Sequence, residues 1–158
     1  MKKSFIILSL TLIQIFTLNG RSAERDARQH LLIDKDWKFI QSDVEGAEKS
    51  NFDDTRWRTL NLPHDWSIEG EFKEDAITKG PGGYLPAGIG WYRKHLSLSS
   101  VGKDQQFWIE FDGVYMNSDV WINGQYLGKH PYGYTSFYYD LTHFIRKGEN
   151  IIAVRVDN

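Results

Sequence analysis

The chain has 158 residues, with 19 basic and 21 acidic side chains, 15% aromatic content and no cysteine. That length suits one domain able to bury a core of its own. The slightly acidic balance argues against nucleic acid or an anionic membrane surface as partner, and the lack of cysteine excludes disulfides and thiolate metal sites.

The first 23 residues stand apart. Lys2 and Lys3 precede an apolar stretch from Phe5 to Leu18, and the small residues Gly20, Ser22 and Ala23 follow. This order of charge, apolar run and small residues is that of a secretory signal peptide, too short for a comfortable membrane span. A retained N-terminal anchor is the alternative reading. Removing residues 1–23 takes away Lys2, Lys3 and Arg21 and no acid, so 16 basic residues face 21 acidic ones and the net charge falls to about −5. The expected product is exported, periplasmic or extracellular, with no membrane span once the signal is removed.

Residues 24–29 are charged and small, a frayed lead-in. His30–Ile40 then places Trp37 and Phe39 on one face of an extended segment. In Asn51–Arg58, Asp53 and Asp54 read as turn formers whose side chains bond their own backbone. Pro63 ends that segment. Between Glu69 and Gly90 the glycines at 70, 80, 82, 83, 88 and 90, with Pro81 and Pro86, predict a long irregular loop, a kind of segment that often carries function.

Order resumes at Trp91. Strands are predicted at Trp91–Leu98, Gln106–Asp112, Met116–Asn123, Gln125–Gly128, Ser136–Leu141 and Asn150–Val156, with a possible helical turn over Leu141–Arg146. Phe107, Ile109 and Phe111 alternate with Trp108, Glu110 and Asp112, and Val120 and Ile122 with Asp119, Trp121 and Asn123, which fixes the register on the apolar side. Asn123-Gly124 is a strong hairpin signal. Short strands separated by turns predict an all-β fold, an antiparallel β-sandwich of the jelly-roll kind.

Catalytic patterns are weak. Glycoside hydrolysis needs two carboxyl groups about 5–10 Å apart, one of them raised in pKa. Glu69 with Glu71 and Glu110 with Asp112 have a compatible spacing, but any polar strand face produces it. No serine sits on a nucleophile elbow, the histidines at 30, 64, 95, 130 and 143 lack metal-ligand spacing, and no phosphate-binding loop is present. No metal or cofactor is expected. Sugar binding is better motivated, because sugar rings stack on flat aromatic faces. The loop from His64 to Gly90 offers Trp66 and Tyr84 as stacking surfaces, with His64, Asp65 and Asp75 as hydrogen-bonding groups. His130-Pro131-Tyr132-Gly133-Tyr134 offers two more rings. For each ring, packing beneath its own loop is the competing role.

Six segments in order resemble the N-terminal sugar-binding domain of glycoside hydrolase family 2: Asn51–Trp57, Leu62–Ile68, Gly90–Lys94, Phe111–Val114, Val120–Gly124 and Pro131–Phe137. The wording around Leu62–Ile68 and Gly83–Arg93 is similar to the β-galactosidase-type branch. The resemblance, from about Leu32 to Asn158, implies a galactose-binding-domain-like jelly roll over 24–158. It also implies that the acid/base and nucleophile glutamates belong to a separate barrel domain absent from this chain, so no catalytic residue carries over. An Asn that touches the sugar in some β-galactosidases falls at Ala87 when Gly90 and Tyr92 are aligned. His64, Asp65, Trp66 and Tyr84 are the expected substrate-binding residues. The partners implied are a β-galactoside or related glycan and the catalytic domain of a parent enzyme, of which this chain would be a truncated or partial product, inactive alone. A free-standing carbohydrate-binding module without hydrolytic activity is the alternative, and a structural or oligomerising domain a third.

Overall fold

A computed structural model describes residues 28–76 and 78–158; the predicted signal segment 1–23 lies outside the described residues. The chain divides into two compact units after Leu32, and the strands belong to the unit Ile33–Asn158. Among the described residues no helix is long and apolar enough to cross a membrane.

Among the described residues eight strands form: β1 Trp37–Ile40, β2 Arg58–Leu60, β3 Ile89–Leu98, β4 Trp108–Phe111, β5 Ser118–Ile122, β6 Gln125–His130, β7 Phe137–Asp140 and β8 Gly148–Asp157. They make the all-β antiparallel sandwich expected from the sequence, with unequal sheets. Six strands are ordered β2-β1-β3-β8-β5-β6 and two are ordered β4-β7. β3 and β8 pair in unbroken register from Ile89↔Asp157 to Leu98↔Gly148 and form the spine of the larger sheet. The predicted strand ends shift by at most two residues, β3 beginning at Ile89. The three-residue β2 was not foreseen, being too short to show an alternating pattern. Leu141–Ile145 is a single turn, with the Phe144 and Ile145 amides both donating to the Leu141 carbonyl.

The alternation in β4 and β5 does what it predicts. Ile109 and Phe137 from the small sheet meet Tyr92, Val120, Ile122, Ile152, Val154 and Val156 from the large one, closed by Leu141 and Ile145. Each fully buried aliphatic chain of this kind contributes about 1.5–3 kcal/mol. At the β5–β6 connection Asn123 (φ 52°) and Gly124 (φ 83°) both take positive φ, as a type I′ turn requires. Asn123 has a second role. Its Oδ1 accepts from the Ile151 amide, and its Nδ2 donates to the Phe144 carbonyl and to Asn150 Oδ1, fastening the hairpin to β8.

The opposite face of the large sheet is also covered. Residues 43–57 fold across it, so that Ala47 and Trp57 pack on Trp91 and Ala153, with Trp91 stacked on Trp121 at 5.3 Å. A guanidinium holds this cover in place. Arg93, on β3, is 0% exposed. Its Nε donates to Asp54 Oδ2 at 2.7 Å, its Nη1 to the carbonyls of Ala47 and Lys49, and its Nη2 to that of Phe52. Asp53 forms the predicted turn, accepting from the amide and hydroxyl of Thr55. Asp54 does not: it turns inward, because Arg93 and His95, two residues apart on one face of β3, both claim its carboxylate. Burial alone would push the Asp54 carboxyl up, yet those two partners outweigh it and hold it below its ordinary range.

Removing one partner of such a buried pair leaves an uncompensated charge, at a cost of about 3–5 kcal/mol. Arg93→Leu is therefore expected to lower the stability read from urea unfolding by about that amount, and a loss under about 1 kcal/mol would show that the cover is held by packing alone. A second effect depends on pH. His95 donates between Glu149 Oε1 (2.9 Å) and Asp54 Oδ2 (2.9 Å). Burial would lower its pKa, but the two carboxylates outweigh burial and raise it above the ordinary 6.5. Its contribution is thus full below pH 6.5 and is lost as pH rises through the raised value. Stability curves measured between pH 6 and 9 should fall with rising pH, and His95→Gln should flatten that decline.

Candidate functional site

The strand register gathers several loops at one end of the sandwich. β3 starts at Ile89 opposite Asp157, near the end of β8; β5 starts at Ser118 beside the end of β6; and β4 ends at Phe111 opposite the start of β7. The loop stretches about Ser67 and Gly88, residues 112–117 and 131–136, and Asn158 therefore share that end. Backbone and side-chain bonds knit them. Gly88 N donates to Asn158 Oδ1 (2.9 Å) and Asn158 N to the Gly88 carbonyl (3.1 Å). Asn158 Nδ2 also reaches Ser67 Oγ, and Asn117 Nδ2 donates to the Asp157 carbonyl.

The four residues singled out from the sequence separate into two inside and two outside. His64 lies under the loop with its side chain 6% exposed. Its Nε2 faces Glu69 Oε2 at 3.2 Å and its Nδ1 faces the Tyr92 hydroxyl at 2.7 Å. A carboxylate only accepts, so in the neutral ring Nε2 carries the proton and Nδ1 accepts from Tyr92. Burial, then the charges of Asp65 and Glu69, hold the Tyr92 hydroxyl protonated far above its ordinary range, which keeps it a donor.

Trp66 is 5% exposed and stacks on Phe39 at 5.7 Å, with Tyr92 at 6.1 Å. Its Nε1 has no hydrogen-bond partner among the described residues and is closed to solvent. The flat face that made it a stacking candidate is occupied by the core. Gly90 makes this possible: it lacks a side chain, and the six-membered ring of Trp66 fills the space a Cβ would need.

Asp65 and Tyr84 are outside. Asp65 accepts from the Ser67 amide at 2.8 Å, a local turn that leaves the carboxylate exposed. Tyr84, 44% exposed, sits on a loop organised by successive turns: its amide donates to the Lys79 carbonyl and its own carbonyl accepts from the Lys73 amide. Asp75 is exposed on the same loop.

None of this forms a hydrolytic pair. Arg58 grips Glu69 with two bonds of 2.6 Å, and that fork, followed by His64, holds the Glu69 carboxyl down at about 2. A general acid needs the opposite shift. Glu110 and Asp112 are exposed, Glu110 opposite Tyr138 on the outer face of the small sheet. Among the described residues no group of three His, Cys, Asp or Glu could hold a metal ion. An open cleft of about 790 Å³ runs past Arg56, Trp57, Arg58, Trp66, Glu69 and Gly70, where Arg58 and Glu69 satisfy one another.

The sequence reading missed Asn158, which ties the loop down, and Tyr115, whose ring meets Tyr134 across two loops at 5.4 Å. Nothing short-range marks either one, because both act through contacts distant in sequence.

Comparison with known proteins places this geometry. Residues 33–158 match the family model described as glycosyl hydrolases family 2, sugar binding domain. The chain is 52% identical over 124 residues to the β-galactosidase BoGH2A of Bacteroides ovatus, covering 78% of this chain and 15% of that protein. It is 38% identical over 125 residues to a β-glucuronidase of Formosa agariphila, covering 78% of this chain and 13% of that one. The crystal structure of a β-glycosidase from Bacteroides vulgatus superposes with a TM-score of 0.75 at 53% identity, over 78% of this chain and 16% of that one. The chain thus spans about one-seventh of the length of these relatives.

Inside and outside positions should respond differently to substitution. Tyr92→Phe deprives His64 of its donor and is expected to cost about 1 kcal/mol in a denaturation experiment. Tyr84→Ala, at an exposed position, should change stability by less than about 0.5 kcal/mol.

Proposed function

Because the chain belongs to the sugar-binding-domain family of the family 2 glycosyl hydrolases, we propose that it serves as the carbohydrate-binding domain of an exported, β-galactosidase-like enzyme whose catalytic carboxylates stand on another domain. The observation that carries this reading is the family match over 33–158, the whole of the strand-bearing unit. The 52% identity to a β-galactosidase supports β-galactosides or related glycans as ligands, and an equal 52% identity to a glucuronidase-type relative makes β-glucuronides the competing class. Glu69, locked to Arg58 by two bonds of 2.6 Å, is not poised to act as a general acid. Export is supported by Lys2 and Lys3, the apolar stretch Phe5–Leu18 and the small residues up to Ala23. On this reading Asp65 and Tyr84 are the loop residues open to a sugar, while His64 and Trp66 shape the loop from beneath. The domain's own partner is the catalytic domain that would follow it.

The test is to tag the product behind Ala23, blot fractions of the source cells, and assay the captured protein on nitrophenyl β-galactoside and nitrophenyl β-glucuronide. A periplasmic or secreted product several times the size of this chain that cleaves the galactoside is expected, whereas the 158-residue chain alone should cleave neither. A product of this chain's size with no hydrolytic activity would sink the multidomain reading in favour of a free-standing binding module, and cleavage of the glucuronide alone would overturn the galactoside assignment.

A further inference from the structure

At the loop end of the sandwich, three tyrosines stand on two loops that meet backbone to backbone. Tyr115, Tyr132 and Tyr134 are 53%, 56% and 76% exposed. Tyr134 joins the other two, with ring centroids 5.4 Å from Tyr115 and 5.7 Å from Tyr132, both edge to face. Their hydroxyls bond to none of the described residues, which leaves three donors and acceptors directed to solvent.

The cluster is built rather than incidental. A Cβ at Gly133 would overlap the Tyr115 ring, and a Cβ at Gly113 would come within 3.2 Å of the Gly133 carbonyl, so two glycines let the loops close on each other. Beneath them His130 stacks on Phe137 at 4.1 Å and bonds Thr135 Oγ1 at 3.1 Å, fixing the base of the 131–136 loop. On the other side, Asn117 is held to the Asp157 carbonyl. The two loops that carry the rings are therefore fixed at their bases and against each other.

We propose that Tyr115, Tyr132 and Tyr134 form a stacking platform for a neutral saccharide, a second contact region beside the 61–88 loop. The proposal rests on the carbohydrate reading above. Two observations select the occupant. Across 112–117 and 131–136 the one charged residue is the exposed Asp112, whose carboxylate repels an acidic ligand and is compatible with an uncharged one. Each ring also pairs an apolar face with a free hydroxyl, the combination that meets both the C–H face and the hydroxyls of a sugar. The platform shares an end of the sandwich with Gly88, Ser67 and Asn158, so a chain of several sugar units could reach both regions.

The experiment is calorimetric titration of the 158-residue chain with β-1,4-linked galactotetraose, repeated for Tyr132→Ala, Tyr134→Ala, Gly133→Ala and Tyr84→Ala, with sedimentation run in parallel. Tyr132→Ala and Tyr134→Ala are each expected to weaken binding roughly five- to tenfold, the worth of one aromatic contact. Gly133→Ala, which removes no ring but displaces Tyr115, should weaken it as well. Binding that survives all three but falls with Tyr84→Ala would overturn the platform and leave the carbohydrate reading standing. No binding by the unsubstituted chain would overturn both. A concentration-dependent dimer that disappears in Tyr134→Ala, without sugar binding, would assign the patch to a second copy of the chain and overturn the proposal.

Discussion

The buried guanidinium of Arg93 is the constraint around which this domain is arranged. A sheet that packs on a second sheet through one face ordinarily leaves its other face to water. Here the second face carries Trp91 and Ala153, which need a cover, and the cover is an irregular segment with no strand of its own. Irregular backbone brings unpaired carbonyls into the interior, and those cost free energy unless each finds a donor. Arg93 supplies donors to the carbonyls of Ala47, Lys49 and Phe52, and Asp54 returns the opposite charge. Taking an ion out of water costs several kcal/mol, so the arrangement holds only because nearly every N–H of the fork is occupied.

That division of labour explains why the loop end can be elaborate. The spine of β3 and β8 and the Arg93 cover lie along the sheet, so the loops at one end add only a few side chains, Trp66 foremost, to the core between the sheets. They are tied instead by short-reach polar bonds from the last residues, Asp157 and Asn158. Rings at this end therefore divide by depth. Trp66 belongs to the core and organises the loop above it, whereas Tyr84 and the tyrosines of the other two loops are open to solvent.

Local signals were legible in the sequence and distant ones were not. Asn123-Gly124 needs only its own two residues to adopt positive φ, and the alternation in β4 and β5 needs only its own strand, so both could be read directly. Arg93 was hidden because a cation two residues from another polar side chain on a strand looks like a solvent-facing row, and its partners lie some forty residues earlier. Asp54 was misread for the same reason. Trp66 looked like a surface ring because glycine and proline around it mark a loop, yet the feature that buries it is the missing side chain of Gly90, a contact across 24 positions. The unequal sheets were equally out of reach, since strand order depends on pairings that no single strand encodes. Of the candidate site, the loop and its exposed residues could be found by composition, while the residues that fasten it could not.

The place of β8 between β3 and β5 sets the order of events during synthesis. Those neighbours have no pairing with each other, so the larger sheet exists as two disconnected pieces until residues 148–157 arrive to join them. A nascent chain cannot settle its centre progressively from the N-terminus; it must wait, with β3 unpaired along one whole edge, for a segment about sixty residues downstream. Pairings of such long sequence separation close slowly. The centre of the larger sheet is thereby completed only once residues 148–157 have been made.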